Sequence, residues 1–483
     1  MKYLRDTGLP RRHVLRAMAG TAAAVVLLPG TGRPASAAAG EEVRVSGVLR
    51  AGTPGQVVYE AIKPSAWNGT LVLDLDFNRW AAPQRQWFLD NGYAIGGNQR
   101  TQNETAYDIT GYVDNLVETR RILAERVAAT TGADSLPTRT IAFGASRGGF
   151  VARMAPQHRP DVFDGAVAFA GGGAGVLASW LPKADAVWTL KQLVDPNSPL
   201  AVSGLPDLPA GATYGADYQQ DRALADLVTT ARMSDAGMAR LVLAAAFEQA
   251  TDWPSGETPP ARDDFRDQGD RIAASFAFAN PQFVHKEIEV MAGGPVTWNH
   301  GVDYAQLLQR SGALKRVKWW YAQAGLDLDA DLAALAAAPR FAADPAAVAA
   351  VERIGTFTGN TGGAPVLSVK TIGDSADPVA LETAYTRTFR EAGTLPLLRT
   401  AYIARSGHST QSMLERIAAF LAVVERLDKG SWGNTSAQGL TRLASAVAAG
   451  ATTALGDARF VEYQPDTALR TWDATDWGTY LPA

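Results

Sequence analysis

The chain contains no cysteine. That excludes disulfides, thiolate metal sites and a cysteine nucleophile together. Histidine is almost as scarce: His13, His158, His285, His300 and His408 are the full set, so a histidine base can be sought by elimination. Basic excess is missing too. Lysine and arginine number 45 against 49 acidic residues, for a net charge of −4. No basic run follows the first 40 residues, which argues against nucleic acid as a partner. No later segment reaches about 18 consecutive apolar residues, so no membrane span is expected there. The sequence carries no dinucleotide fingerprint, no phosphate loop and no internal repeat, and no cofactor is expected.

The 483 residues, 47% of them hydrophobic, suffice for one large domain with an insertion, or for two domains. The first 37 have a composition of their own. Arg11-Arg12 precede the apolar stretch Ala17–Leu28, and Ala35-Ser36-Ala37 follows. A charged start, a short apolar run and small residues at a cleavage point read as a signal peptide of the twin-arginine type, and so as a secreted protein. The apolar run is shorter than the roughly 20 residues that cross a bilayer. Segment 1–37 holds six basic residues and one acid, net +5, so the remainder carries −9.

From residue 43 strand-like and helix-like segments alternate. Residues 43–50 and 56–63 alternate apolar and polar side chains, as half-exposed antiparallel strands do. Residues 70–76, 93–99, 140–145 and 165–171 are short apolar runs, the pattern of a parallel sheet buried on both faces. Residues 111–130 read as a helix. The alternation then stops. Residues 176–363 hold helical patterns and few strand runs, and a connection of 188 residues is too long for a structureless loop. The expectation is a mainly helical inserted domain. The sheet pattern resumes at 365–373 and 396–404. A last core helix carries Met413, Ile417, Phe420, Leu421 and Val424, with Gly430 as its C-terminal cap. Residues 431–483 are weakly periodic and read as a tail packed on the body. The division expected is therefore core (38–175), insertion (176–363), core (364–430) and tail (431–483).

The strongest chemical signal is Gly144-Ala145-Ser146-Arg147-Gly148, a G-x-S-x-G pattern. A serine on a sharp strand-to-helix turn stands clear of the backbone, and side chains at the flanking positions would strike neighbouring chain. The pentapeptide follows an apolar strand and precedes a helix, as that geometry requires. The alternative is a glycine-rich helix start with no chemistry. A serine hydroxyl needs a base, and the base needs an orienting acid. In this architecture the chain order is Ser, acid, His. His13 falls in the signal, His158 at the far end of the helix after Ser146, and His285 and His300 in the insertion. His408 lies between the last strand and the last helix, where the base belongs. Two acids follow the penultimate strand, Asp374 and Asp377. Asp377 is preferred because it stands deeper in the loop, before Pro378 starts a helix; a mere helix-capping role is its other reading.

Together the elbow, the acid loop and the histidine loop resemble the α/β-hydrolase superfamily. The likeness covers about 43–175 and 364–427, with the insertion at the place of that family's lid, after the sixth strand. Segments such as 67–73, 88–97 and 362–379 are similar to those of secreted bacterial esterases and peptidase-like hydrolases. The resemblance implies a mostly parallel sheet flanked by helices, and an oxyanion hole made of backbone amides. Many members have His-Gly after the third strand. Here Asp76-Phe77 stands there, so Phe77 and Arg147 are the expected donors, with Asn78 as an alternative to Phe77.

Weaker motifs remain. Asp327, Asp329 and Asp331 are spaced like the start of a calcium loop but lack its glycine and final glutamate, and read as an acidic helix start. No metal is expected. Gly172-Gly173 reads as a turn. Six of the twelve tryptophans (Trp180, Trp188, Trp253, Trp298, Trp319, Trp320) lie in the insertion, either as core or as a stacking surface. The reading is a serine hydrolase acting on an ester or lactone of a moderately bulky apolar or aromatic small molecule. A peptide or amide bond is the alternative, and a non-catalytic binding protein of this fold the second. The pattern singles out no substrate-binding residue and no oligomeric state.

Overall fold

Among the described residues nine strands form one sheet. They are β1 (Val43–Leu49), β2 (Val57–Lys63), β3 (Thr70–Asp74), β4 (Ala94–Asn98), β5 (Arg139–Ala145), β6 (Gly165–Phe169), β7 (Val366–Gly373), β8 (Leu398–Ser406) and β9 (Phe460–Val461). The computed structural model describes residues 40–470 except 54, 101–106, 133–135, 210–211 and 213–216; the signal-like segment 1–37 lies outside the described residues. The strands lie in the order β1-β2-β4-β3-β5-β6-β7-β8-β9. β2 runs against β1 and β4, and β9 against β8; the other neighbours are parallel. β3, β4 and β6 are buried along their whole length, as strands covered on both faces must be. β1 instead alternates, with Val43, Val45 and Leu49 turned inward. Strand order, the reversed β2 and the sharp turn after β5 are those of the α/β-hydrolase fold.

Helices α1 (Ala82–Asp90), α2 (Ile109–Thr131) and α3 (Arg147–His158) connect the first strands. Between β6 and β7 come α4 (Val176–Val194), α5 (Gln219–Ala231), α6 (Asp235–Phe247), α7 (Phe265–Ala279), α8 (Gln282–Ala292), α9 (Tyr304–Arg310), α10 (Leu314–Ala324), α11 (Leu328–Ala337) and α12 (Pro345–Gly355). Their starts are set locally: Ser234, Asp264, Asp303, Asp327 and Asp344 each accept a backbone N–H from the first turn of the helix that follows. Such caps are worth about 1 kcal/mol apiece. The helices have a core of their own, around Leu190, Leu224, Leu241, Phe276 and Trp320. Where the chain leaves and rejoins the sheet, Gly175 pairs with Thr356 in an antiparallel bridge.

The chain finishes with α13 (Leu381–Glu391), α14 (Met413–Lys429) and α15 (Ala437–Gly450). Side chains of α2, α3 and α13 share one core, and those of α1, α14 and α15 another. Gly430 ends α14 at φ 70°, donating its N–H to Arg426. The segment after it departs from the weakly periodic reading. α15 buries Leu440, Ala444 and Val447, a spacing of four and three residues that marks one helix face. β9 then adds a ninth strand to the sheet.

Candidate active site

Ser146 stands between β5 and α3 at φ 58° and ψ −125°, a conformation that an L-residue adopts at a cost of roughly 1–3 kcal/mol. The flanking residues explain how the turn closes. A Cβ on Gly144 would lie 2.4 Å from the carbonyl of Gly148, and one on Gly149 would lie 2.3 Å from the Phe169 oxygen. The Ser146 amide donates to that same Phe169 oxygen at 2.9 Å. The elbow is thus pinned to β6, and its hydroxyl stands clear of the strand.

His408 follows β8, between Gly407 and Ser409, both at positive φ. Its Nε2 is 2.8 Å from Ser146 Oγ. Its Nδ1 is 2.8 Å from Asp374 Oδ1. With a carboxylate at Nδ1 that nitrogen carries the proton, leaving Nε2 to accept from the serine. The carboxylate that meets His408 is therefore that of Asp374, and the expectation that Asp377 makes this contact is corrected. The loop does not extend toward His408 as it descends. It folds back, so that Asp374 Oδ1 also accepts the amides of Ala376 and Asp377, each at 3.0 Å. The Asp377 carboxylate turns away to Lys370, with which it forms a close ion pair, and to the Gly172 amide at 2.9 Å.

Lys370 sits on β7, fully buried, with its Nζ 3.3 Å from Asp374 Oδ2. Burial works against the Asp374 charge, yet His408 and Lys370 outweigh it and hold the carboxyl well below its ordinary value. The same contest raises Lys370, where burial is offset by Asp374 and Asp377. A lysine in the strand Val366–Gly373, whose other residues are small or apolar, was the sequence signal for this arrangement.

Ser146 and His408 open into a cavity of about 130 Å³. Its other walls come from Tyr107 and Phe150, and from the inserted helices through Trp180, Lys183, Phe278 and Val284. Arg147, first residue of α3, also lines it. Its guanidinium bonds Glu287 of α8 at 2.7 Å and lies 4.7 Å from the Tyr107 ring centre. Arg100, another lining residue, makes two bonds to Asp76, at 2.8 and 2.7 Å. Phe77 opens a short 3-10 turn, Phe77–Arg79, beyond β3. Its ring is buried against Trp80, 5.5 Å between centres, and neither Phe77 nor Asn78 is among the lining residues. The Asp74–Asp76 turn before it packs on the elbow: a Cβ on Gly148 would be 3.0 Å from Asp74 Oδ1.

The other histidines lie elsewhere. His158 ends α3 beside Asp114, 3.3 Å away. His285 is buried on α8, stacked 5.1 Å from Trp180, and burial pushes it down to about 3. It is neutral and backs the cavity wall. Of the six insertion tryptophans only Trp180 lines the cavity, while Trp188, Trp253, Trp298 and Trp320 are buried elsewhere. Asp327 caps α11, and Asp331 bonds Arg240 at 2.9 Å, so the aspartate triplet is a helix start. Among the described residues no cluster of three or more potential metal ligands occurs, and no helix is long and apolar enough to cross a membrane. Sequence reasoning missed Lys183, Arg100 and Lys370, which belong to no motif.

No family model matches the chain. It is 28% identical over 445 residues to an o-phthalyl amidase of Xanthobacter agilis, which spans 87% of this chain and 93% of that relative. Among solved structures, feruloyl esterase B of Aspergillus oryzae overlaps 80% of this chain and 81% of its own, at 14% identity and a TM-score of 0.38. Lipase A of Candida Antarctica overlaps 82% and 78%, at 14% identity and a TM-score of 0.33. The fold stands on strand order and the turn at Ser146.

Proposed function

We propose that this chain is a serine hydrolase that opens a carboxylic ester or amide bond through an acyl-Ser146 intermediate. The observation that carries the reading is the unbroken relay Ser146–His408–Asp374, 2.8 Å at each step, facing a cavity. His408 takes the Ser146 proton as the hydroxyl attacks the carbonyl, then returns it to the leaving oxygen or nitrogen. Asp374 holds the imidazole tautomer and stabilises the imidazolium. The Arg147 amide, at the start of α3, serves the developing oxyanion, with a second donor from the turn after β3, where Phe77 was expected. Water then releases the acyl group by the same base.

The cavity limits the acyl group. About 130 Å³ is close to the roughly 150 Å³ that holds a benzene ring, and Tyr107, Phe150 and Trp180 give it aromatic walls. The amidase name of the 28% relative puts the amide on an equal footing with the ester or lactone favoured by sequence. The inserted helices act as a lid over this acyl site. The pattern Arg11-Arg12 and Ala35-Ser36-Ala37 supports export, and a mature N-terminus after Ala37 in secreted material is its check.

The deciding experiment is labelling by a fluorophosphonate. Wild type should be labelled at Ser146 and should turn over aryl esters and anilides. Ser146→Ala should lose labelling and turnover while remaining folded. Persistent labelling of Ser146→Ala would overturn the assignment.

A further inference from the structure

Lys183 lies in the third turn of α4 and is 6% exposed. It lines the same cavity as Ser146 and His408. Its ammonium donates to two backbone carbonyls, that of Ala279 at the end of α7 and that of Ala376 in the acid loop, the latter at 2.6 Å. An ammonium has three N–H groups, so these contacts leave one. The other cations of the cavity have carboxylate partners: Arg147 has Glu287 and Arg100 has Asp76. Asp377, the acid of the cavity wall, is taken by Lys370. Among the described residues no carboxylate is paired with Lys183.

A buried charge without a counter-ion is costly, and it persists where something supplies the partner. Lys183 borders two spaces, the cavity that holds Ser146 and a much smaller void shared with Glu248 and Asp374, and only the first has room for more than water. Glu248, Asp374 and Asp377 are near enough for Lys183 to feel their charge, and Lys370 opposes them. Burial still dominates and lowers the lysine. An anion entering the cavity would reverse that balance.

We propose that Lys183 is an anion anchor: the acyl group accepted by Ser146 carries a second, free carboxylate, and Lys183 binds it. The inference rests on the hydrolase reading and narrows its substrate class to the half-amide or half-ester of a compact dicarboxylic acid. The two carboxyl groups must reach Ser146 and Lys183 on the walls of one cavity, which requires a short spacer. Between Tyr107, Phe150 and Trp180 an aromatic ring meets that requirement. The scissile carbonyl lies at Ser146, and the free carboxylate completes the donor set of Lys183 with a charge-assisted hydrogen bond.

Protection of Ser146 tests this on the full chain. Benzene-1,2-dicarboxylate, benzoate and neutral benzamide are each titrated against fluorophosphonate labelling, in wild type and in Lys183→Gln. Glutamine retains an amide N–H for the carbonyls but no charge. In wild type the two carboxylates should protect at concentrations about 30-fold below benzamide, the worth of a hydrogen bond to a charged group, and Lys183→Gln should erase that advantage. Equal protection by charged and neutral rings in wild type overturns the anchor, whether or not the variant folds. So does an advantage that survives in a labelled Lys183→Gln, which would assign the anion to another cation. Absence of labelling in wild type removes the nucleophile and the anchor with it, whereas normal labelling with equal protection removes the anchor alone.

Discussion

Two regions meet at the cavity and contribute by different means. The sheet presents its groups on loops at the C-terminal ends of strands: Ser146 after β5, Asp374 after β7 and His408 after β8. Each is fixed by backbone, through the strained elbow, the folded-back acid loop and the glycine before His408. The inserted helices contribute walls and charge, through Trp180, Lys183, Phe278 and the Glu287 partner of Arg147. They are fixed in part by a core of their own and in part by packing on the sheet, where Trp180, Val284 and Val348 share a cluster with Leu73 and Phe150. On the proposed function, the contrast separates chemistry from recognition. Reacting groups sit where strand ends converge, as ligand sites of open α/β sheets do. Recognition sits in a segment whose residues form no motif at all.

That division breaks first at the base. His408→Ala should lower kcat by a factor on the order of 10⁴–10⁶, since removing one member of the unit removes most of its effect. His285→Ala should leave kcat within about tenfold, because a neutral ring behind Trp180 donates nothing to the reaction. Steady-state kinetics on one aryl ester decides the matter. A comparable loss in His285→Ala would place catalytic groups in the insertion and end the separation.

The next largest effect distinguishes two carboxylates three residues apart. Asp374→Asn should reduce kcat by a factor on the order of 10⁴ by favouring the wrong imidazole tautomer. Asp377→Asn should act chiefly on stability, by roughly 3 kcal/mol, since it removes one partner of the buried Lys370. Urea unfolding alongside kinetics separates the two. The opposite pattern would restore Asp377 as the orienting residue.

This pair also marks where the sequence stopped being legible. The eight main strands and the contact of Ser146 with His408 follow from patterns of short range: apolar runs, a glycine-flanked serine, and a histidine between the last strand and helix. The choice between Asp374 and Asp377 depends on where a side chain turns, and that is set by Lys370 and Gly172, distant along the chain or hidden in a strand. Depth in the loop was the wrong measure, because the loop folds back on Asp374. The cavity wall was illegible for a related reason. Lys183 has ordinary helix neighbours, and only tertiary packing reveals that Ala279 and Ala376 hold it. α15 is a different case. Its spacing was present in Leu440, Ala444 and Val447, and the small alanines around them weakened the pattern.

A smaller effect probes the joint between the two regions. Arg147 and Glu287 are both almost fully buried, 5% and 6% exposed at the side chain. Burial opposes the guanidinium charge, and Glu287, together with Tyr112 and Tyr107, more than offsets it. Glu287→Ala should therefore destabilise by about 3–5 kcal/mol, the cost of leaving one buried partner without the other. Differential scanning calorimetry checks it. A variant as stable as wild type would mean that the insertion does not brace the elbow.

The finest form of the comparison sets Asp374 against Glu248, a buried acid of the sheet against a buried acid of the insertion. Partners hold Asp374 below its ordinary value. Burial pushes Glu248, just beyond α6, from 4.5 up to about 7, only partly countered by Lys183 and Asn280. Its Oε2 has no hydrogen-bond partner among the described residues. Between pH 4.5 and about 7 the folded state keeps a proton that the unfolded state has released. Stability must therefore fall as pH rises through that window, and the loss is complete above it. The interval from 4.5 to about 7 is worth on the order of 3 kcal/mol at most, at about 1.4 kcal/mol per pH unit. Glu248→Gln has nearly the same shape and no proton to release. Its stability relative to wild type should rise from pH 5 to pH 8 by up to that amount, read as urea midpoints at the two pH values. A difference that does not change with pH would mean that Glu248 is already ionised in the folded protein at pH 5, with a counter-charge as effective as the one that serves Asp374.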